Sequence, residues 1–228
     1  MAGEGWFRHV DIYCERTDPS FWAEPLNAVS NLAFIVAAFV AYRAWRSDPG
    51  RDWAVLTLIL IVATIGVGSF LFHTFANVWS LMADVIPIRI FIVFYLMLAI
   101  RRFFRQPWWL AILVGVAFLP ASTAFAGAVA AVAGDALRGS QGYLPAFLAL
   151  IVCGVWLRAL GRPSGNALLI GAGIFVVSLT FRTLDQPLCN LWPIGTHPIW
   201  HLLNGVLLGW LTLAMLEHGR PKRAEMRT

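Results

Sequence analysis

The sequence predicts an all-α, polytopic membrane protein: seven transmembrane helices in a single domain over residues 1–228, with the N-terminus outside and the C-terminus cytoplasmic. Three observations predict it. Hydrophobic residues make up 59% of the chain, above the roughly 45–50% of soluble domains. Seven stretches reach the roughly 20 apolar residues that one crossing needs. Basic residues gather in alternate loops, as the positive-inside rule requires.

The elements follow in order. The opening MAGEGWFRHVDIYCER lacks the basic start and apolar run of a signal peptide, so residues 1–26 are expected to form an outer segment. The first two spans cover 27–46 and 53–75, with Arg46 and Arg51 between them. The connection FANVW carries no basic residue and leads to the third span, 79–101. Arg101, Arg102 and Arg105 follow. The fourth span, 107–130, holds Pro120 and the small-residue run AFAGAVAAVAG, so it is expected to bend or end early. Only Arg138 precedes the fifth span, 142–160. Arg158 and Arg162 lead to the sixth, 165–184, and the base-free QPLCNLWPIGT leads to the seventh, 197–217. The tail, 218–228, carries Arg220, Lys222, Arg223 and Arg227.

Odd loops and the tail are therefore cytoplasmic, and seven crossings connect an outer start to an inner end. This placement accounts for the net charge of +5 without a nucleic-acid partner. Lys222 is the single lysine and lies in the tail, which excludes a pigment whose retinal is bound to a lysine in the last helix. Three cysteines without a CxxC pair are too few for a disulfide framework.

Polar residues inside apolar spans mark function by default. His73 lies in the last outer turn of the second span, and Ser69 stands four residues earlier on the same helical face. Asp84 lies about 8 Å below the outer end of the third span, at 1.5 Å per residue. A tight connection around Asn77 makes these two helices antiparallel neighbours. The seventh span opens with THPIWHLLN, also at the outer surface, so His197 and His201 share one face. Pro198 suits the first turn of a helix. One layer thus collects three histidines, a serine and an aspartate.

Three neutral imidazoles with an open fourth position are the ligand set of a catalytic zinc, which acidifies water to a pKa of about 7. Asp84 fits the proton carrier beside it, and Ser69 a hydrogen-bond donor to water or the developing oxyanion. Simpler readings stand beside these. A histidine at a membrane interface is often structural, and Ser69 suits packing between helices. Asp84 could pair with Arg89 or Arg182. Arg182 and Asp185 read most simply as a local pair.

The pattern GxxSxxFH, an aspartate eleven residues after the histidine and a late HxxWH resemble the alkaline ceramidase family, within a wider group of seven-helix membrane hydrolases. CERTDPSFWAEPLNAVSNL resembles that family's N-terminal block through Cys14, Glu15, Glu24, Asn27, Ser30 and Asn31. The similarity runs from residue 11 to about residue 210. It implies a zinc amidase that cleaves ceramide or another N-acyl lipid into a fatty acid and an amine. His73, His197 and His201 match its zinc ligands, Asp84 its carboxylate and Ser69 its serine. Pro198 departs from the expected HxxWH element.

The resemblance also implies a calcium site in the outer segment, where Asp11, Glu15, Asp18 and Glu24 crowd together; hard oxygen ligands suit that ion. Glu15 and Glu24 match best, Asp11 is displaced by one position, and the Tyr13 carbonyl and Thr17 are further candidates. It implies a bridge between Cys14 and Cys189, leaving Cys153 free. Arginine in place of lysine, with abundant alanine, points to a GC-rich genome and a bacterial inner membrane with the site on the periplasmic side. The rival from another class is a seven-helix receptor whose structural zinc takes Asp84 as its fourth ligand. A transporter lined by Arg182 and Asp185 is the weaker rival, as no inverted repeat is visible.

Overall fold

The computed structural model describes residues 2–219. The expected tail residues Arg220, Lys222, Arg223 and Arg227 lie outside the described residues. Among those described there is no strand; a single antiparallel bridge joins His9 to Asn77. The helices are α1 Ala2–Phe7, α2 Pro25–Ser30, α3 Leu32–Ser47, α4 Trp53–Phe75, α5 Val78–Leu98, α6 Trp108–Ala133, α7 Leu144–Ala159, α8 Pro163–Leu184 and α9 His197–His218.

Seven helical stretches are long and apolar enough to cross a membrane: Pro25–Ser47, Trp53–Phe75, Val78–Phe103, Trp108–Leu137, Ser140–Ala159, Pro163–Leu184 and His197–His218. They match the seven expected spans. The fourth is the exception in detail. α6 does not end early but continues through Pro120 to Ala133. Only Ala111 and Gly115 of α6 are buried, so it forms the outer wall and turns Leu113, Val116 and Leu119 outward.

The helices form a ring in chain order. Each of α3 to α9 packs on the next, and α9 closes the ring against α3. Close closure needs small residues. A Cβ on Gly205 would sit 2.8 Å from the Ala33 side chain, and one on Gly209 3.1 Å from that of Ala37. α9 therefore lies flush against α3 along one face.

α4 shows how composition and spacing divide the work. Val55, Leu58, Val62, Ile65, Ser69 and His73 are buried, at the three-and-four spacing of one helical stripe. The stripe is apolar below and polar at its outer end. α4 stops at Ala76, which takes a left-handed conformation with φ 45°, and Asn77 starts α5 by exchanging capping hydrogen bonds with Ser80. This two-residue hinge is the tight connection the sequence predicts.

The N-terminal segment lies across the end of the ring at which α4 stops and α5 starts. Val10 N–H donates to Ala76 O at 2.8 Å and Val78 N–H to Arg8 O at 3.2 Å. A disulfide joins Cys14 to Cys189, 175 residues later, which ties this strap to the segment entering α9. Cys153 is free and half-buried in α7.

Candidate metal centre

His73, His197 and His201 are each buried to 2% exposure or less. One ring nitrogen from each lies within 4.8 Å of the other two, so the trio could hold a metal ion. α4 and α9 bring them together because the end of α4 and the start of α9 lie at the same end of the ring and both turn a buried stripe inward. Pro198 sits in the first turn of α9 and leaves His197 as the first helical residue.

The partners of the rings support ligation. His73 Nδ1 lies 2.6 Å from Glu24 Oε2. A carboxylate only accepts, so Nδ1 carries the proton and Nε2 keeps its lone pair. That buried Nε2 has no hydrogen-bond partner. His201 Nδ1 lies 2.7 Å from Ser30 Oγ. The Ser30 hydroxyl already donates to Asn27 O at 2.8 Å, so it accepts from His201 Nδ1 and again leaves Nε2 as the ligand atom. Buried polar atoms without partners are costly. His197 Nδ1 is another, and a metal ion satisfies such atoms. Orienting partners of this kind are the usual support of metal-bound imidazoles.

Asp185 fixes the start of α9. It accepts from Thr196 N at 2.7 Å, His197 N at 2.8 Å and Cys14 N at 3.1 Å. The expected pairing of Arg182 with Asp185 does not form. α8 ends at Leu184, and three backbone amides draw the Asp185 carboxylate away. Arg182 instead donates to Arg138 O at 2.9 Å and Ser140 Oγ at 3.0 Å. Gly195 makes the turn into α9 with φ +67°. A side chain there would collide with Asp185 and Cys14.

Ser69 and Asp84 meet beside the histidines. Both line one cavity with His197 and His201. Their meeting depends on Gly68, because a Cβ there would overlap the backbone of Ala83, the residue before Asp84. No carboxylate joins the three histidines within the ligand distance among the described residues, so Asp84 does not close the set.

The cavity extends from this polar layer into the ring. Phe91, Ile92, Leu150, Leu168, Leu207 and Leu211 form its apolar walls. From His201 to Leu211 it spans about 15 Å along α9 at 1.5 Å per residue. The Tyr13 ring stacks on His197 at 3.7 Å between centroids and also faces the cavity. Burial raises the pKa of the Tyr13 phenol, which keeps it neutral there.

The four acidic residues of the expected calcium site do not converge. Asp11 is exposed. Asp18 is exposed and accepts from Ser20 N at 2.7 Å. Glu15 turns to the amides of Leu26 and Asn27 at 2.7 and 2.8 Å. Glu24 is buried and holds Arg16 Nε at 2.5 Å, His73 and Asn27 Nδ2. A guanidinium thus stands where a calcium ion would need open carboxylate oxygens, and these residues do not fit that ion.

Glu24, Ser30, Asp185 and Tyr13 took none of these roles in the sequence reading. Glu24 and Ser30 belonged to the quoted N-terminal block, which was the available signal. The family model described as Ceramidase matches residues 13–226. No curated protein matches the chain.

Proposed function

The chain belongs to the Ceramidase family, and on that premise we propose that it is a zinc-dependent membrane amidase. Its substrate is ceramide or a related N-acyl lipid, and its products are a fatty acid and an amine. The observation that carries this reading is the trio of buried histidines opening onto a long apolar cavity beside Ser69 and Asp84.

Zinc held by His73, His197 and His201 would supply Lewis acidity to the amide carbonyl and acidify water. The apolar walls take the acyl chain and keep bulk water from the scissile bond. Asp84 accepts the proton of the attacking water and returns it to the departing nitrogen, so water is consumed and no proton is left over. Ser69 stands one turn from His73 on the cavity wall, where its hydroxyl donates to the attacking water or to the developing oxyanion. Tyr13 restrains the His197 ring by stacking.

In this reading the odd loops face the cytoplasm and the site faces the outer side, periplasmic if the membrane is a bacterial inner membrane. A structural zinc in a receptor would need a fourth protein ligand; the place of Asp84 on the cavity wall, outside the histidine group, favours the hydrolase. The test is to purify the chain, measure bound metal, and incubate it with the lipid extract of its host. One zinc per chain and release of fatty acid, detected by mass spectrometry, are expected. Metal without hydrolysis of any lipid amide would replace this reading with the receptor.

A further inference from the structure

The cation of the outer segment is a side chain. Arg16 is 4% exposed, and its guanidinium is enclosed by oxygens from separate stretches of the chain. Nε donates to Glu24 Oε1 at 2.5 Å, and Nη1 to the carbonyls of Asp18 and Ser20, each at 3.2 Å. Nη2 donates to the His73 carbonyl at 3.0 Å. One carboxylate and three backbone carbonyls are the kind of oxygen set that a calcium loop offers its ion. A guanidinium has five N–H donors in a fixed fork and keeps its charge, so it fills such a cage without a solution equilibrium.

The same cage reaches the histidine trio twice. Arg16 holds one oxygen of Glu24, whose other oxygen receives His73 Nδ1 at 2.6 Å. It also holds the backbone of His73 at the carbonyl. Ring and main chain of that histidine are therefore fixed from one centre.

We propose that Arg16 is a built-in cation that stands in place of a bound calcium ion and positions Glu24 and, through it, His73. The link to His73 rests on the metal reading given above; the replacement of calcium does not. Arg16 is a positioning residue, with no contact to the cavity.

The test uses the full-length, zinc-loaded protein in detergent and calcium-stripped buffer. Equilibrium dialysis with radioactive calcium is expected to show no saturable binding up to about 1 mM, the weak limit of extracellular calcium modules. The melting midpoint should be the same with and without that calcium. Arg16→Ala is expected to weaken zinc binding by about 10- to 100-fold, as loss of an orienting partner does, with partial recovery in millimolar guanidinium chloride. Arg16→Lys, which keeps the charge but not the fork, should fall between and supplies the zinc readout if Arg16→Ala does not fold. One saturable calcium per wild-type chain would overturn the proposal, as would unchanged zinc affinity in both variants. A chain that binds zinc, takes no calcium and cuts no amide supports this inference and sinks the proposed activity instead.

Discussion

Ser30 Oγ and His201 Nδ1 lie 2.7 Å apart across 171 residues of sequence. The hydroxyl spends its own proton on Asn27 O, so the contact selects one tautomer of His201. Ser30→Ala should leave the ring free to choose either tautomer. Zinc affinity should then fall by about 10- to 100-fold, read by competition with a chromogenic chelator. Affinity equal to wild type would remove Ser30 from the site.

Asp84 and His201 should separate chemistry from metal binding. Asp84→Asn is expected to retain zinc and lose about 100- to 10,000-fold in turnover, the usual contribution of a positioned acid–base group. His201→Ala should lose zinc and turnover together. Normal turnover in Asp84→Asn would sink the proton-carrying role.

Gly68→Ala tests the close approach of α4 and α5. The added methyl meets the Ala83 backbone, which cannot rotate away. Overpacking of this kind costs about 1–3 kcal/mol, and the helices must part where Ser69 and Asp84 meet. A lower melting midpoint with a lower kcat is expected. A variant with wild-type values for both would show that the two helices have room.

Reduction should reveal one bridge. Alkylation of the denatured protein should label Cys153 alone, and two further thiols only after reductant. Cys14→Ser with Cys189→Ser should cost about 2–5 kcal/mol and weaken zinc binding, because Cys14 N also holds Asp185.

Asp52 supplies the pH dependence. Burial pushes its carboxyl up, but the hydrogen bond and charge of Arg102 outweigh that and hold it below the ordinary carboxylate range. A depressed folded pKa stabilises above the unfolded value, about 4, and that stability is lost as the pH falls through the folded value. Asp52→Asn should therefore melt lower than wild type at pH 7 and converge with it below about pH 4. An undiminished gap under acid would separate the effect from the Asp52 charge and its pairing with Arg102.

The spans were legible because one crossing imposes its length on the sequence, and parity then sets which helix ends share a side. Together these put His73, Asp84, His197 and His201 in one layer before any contact was known. The support of that layer was not legible. Glu24 reaches His73 over 49 residues and Ser30 reaches His201 over 171, and no local period encodes such a meeting. Arg182 and Asp185 misled for the opposite reason. Three residues apart, they suit a helical pair, but α8 ends between them and the free amides before α9 compete for the carboxylate.

The closing of α9 against α3 has a consequence for biogenesis. Chains emerge N-terminus first, so the hairpin of α4 and α5 is in place while His197 and His201 are still unmade. A nascent or truncated chain owns one histidine of the three and lacks the second cysteine. The histidine trio is incomplete until the last helix is made, and on the proposed reading a metal could load only in that late step. A hydrolase that threads itself through a lipid membrane is thereby kept inert until its insertion is finished.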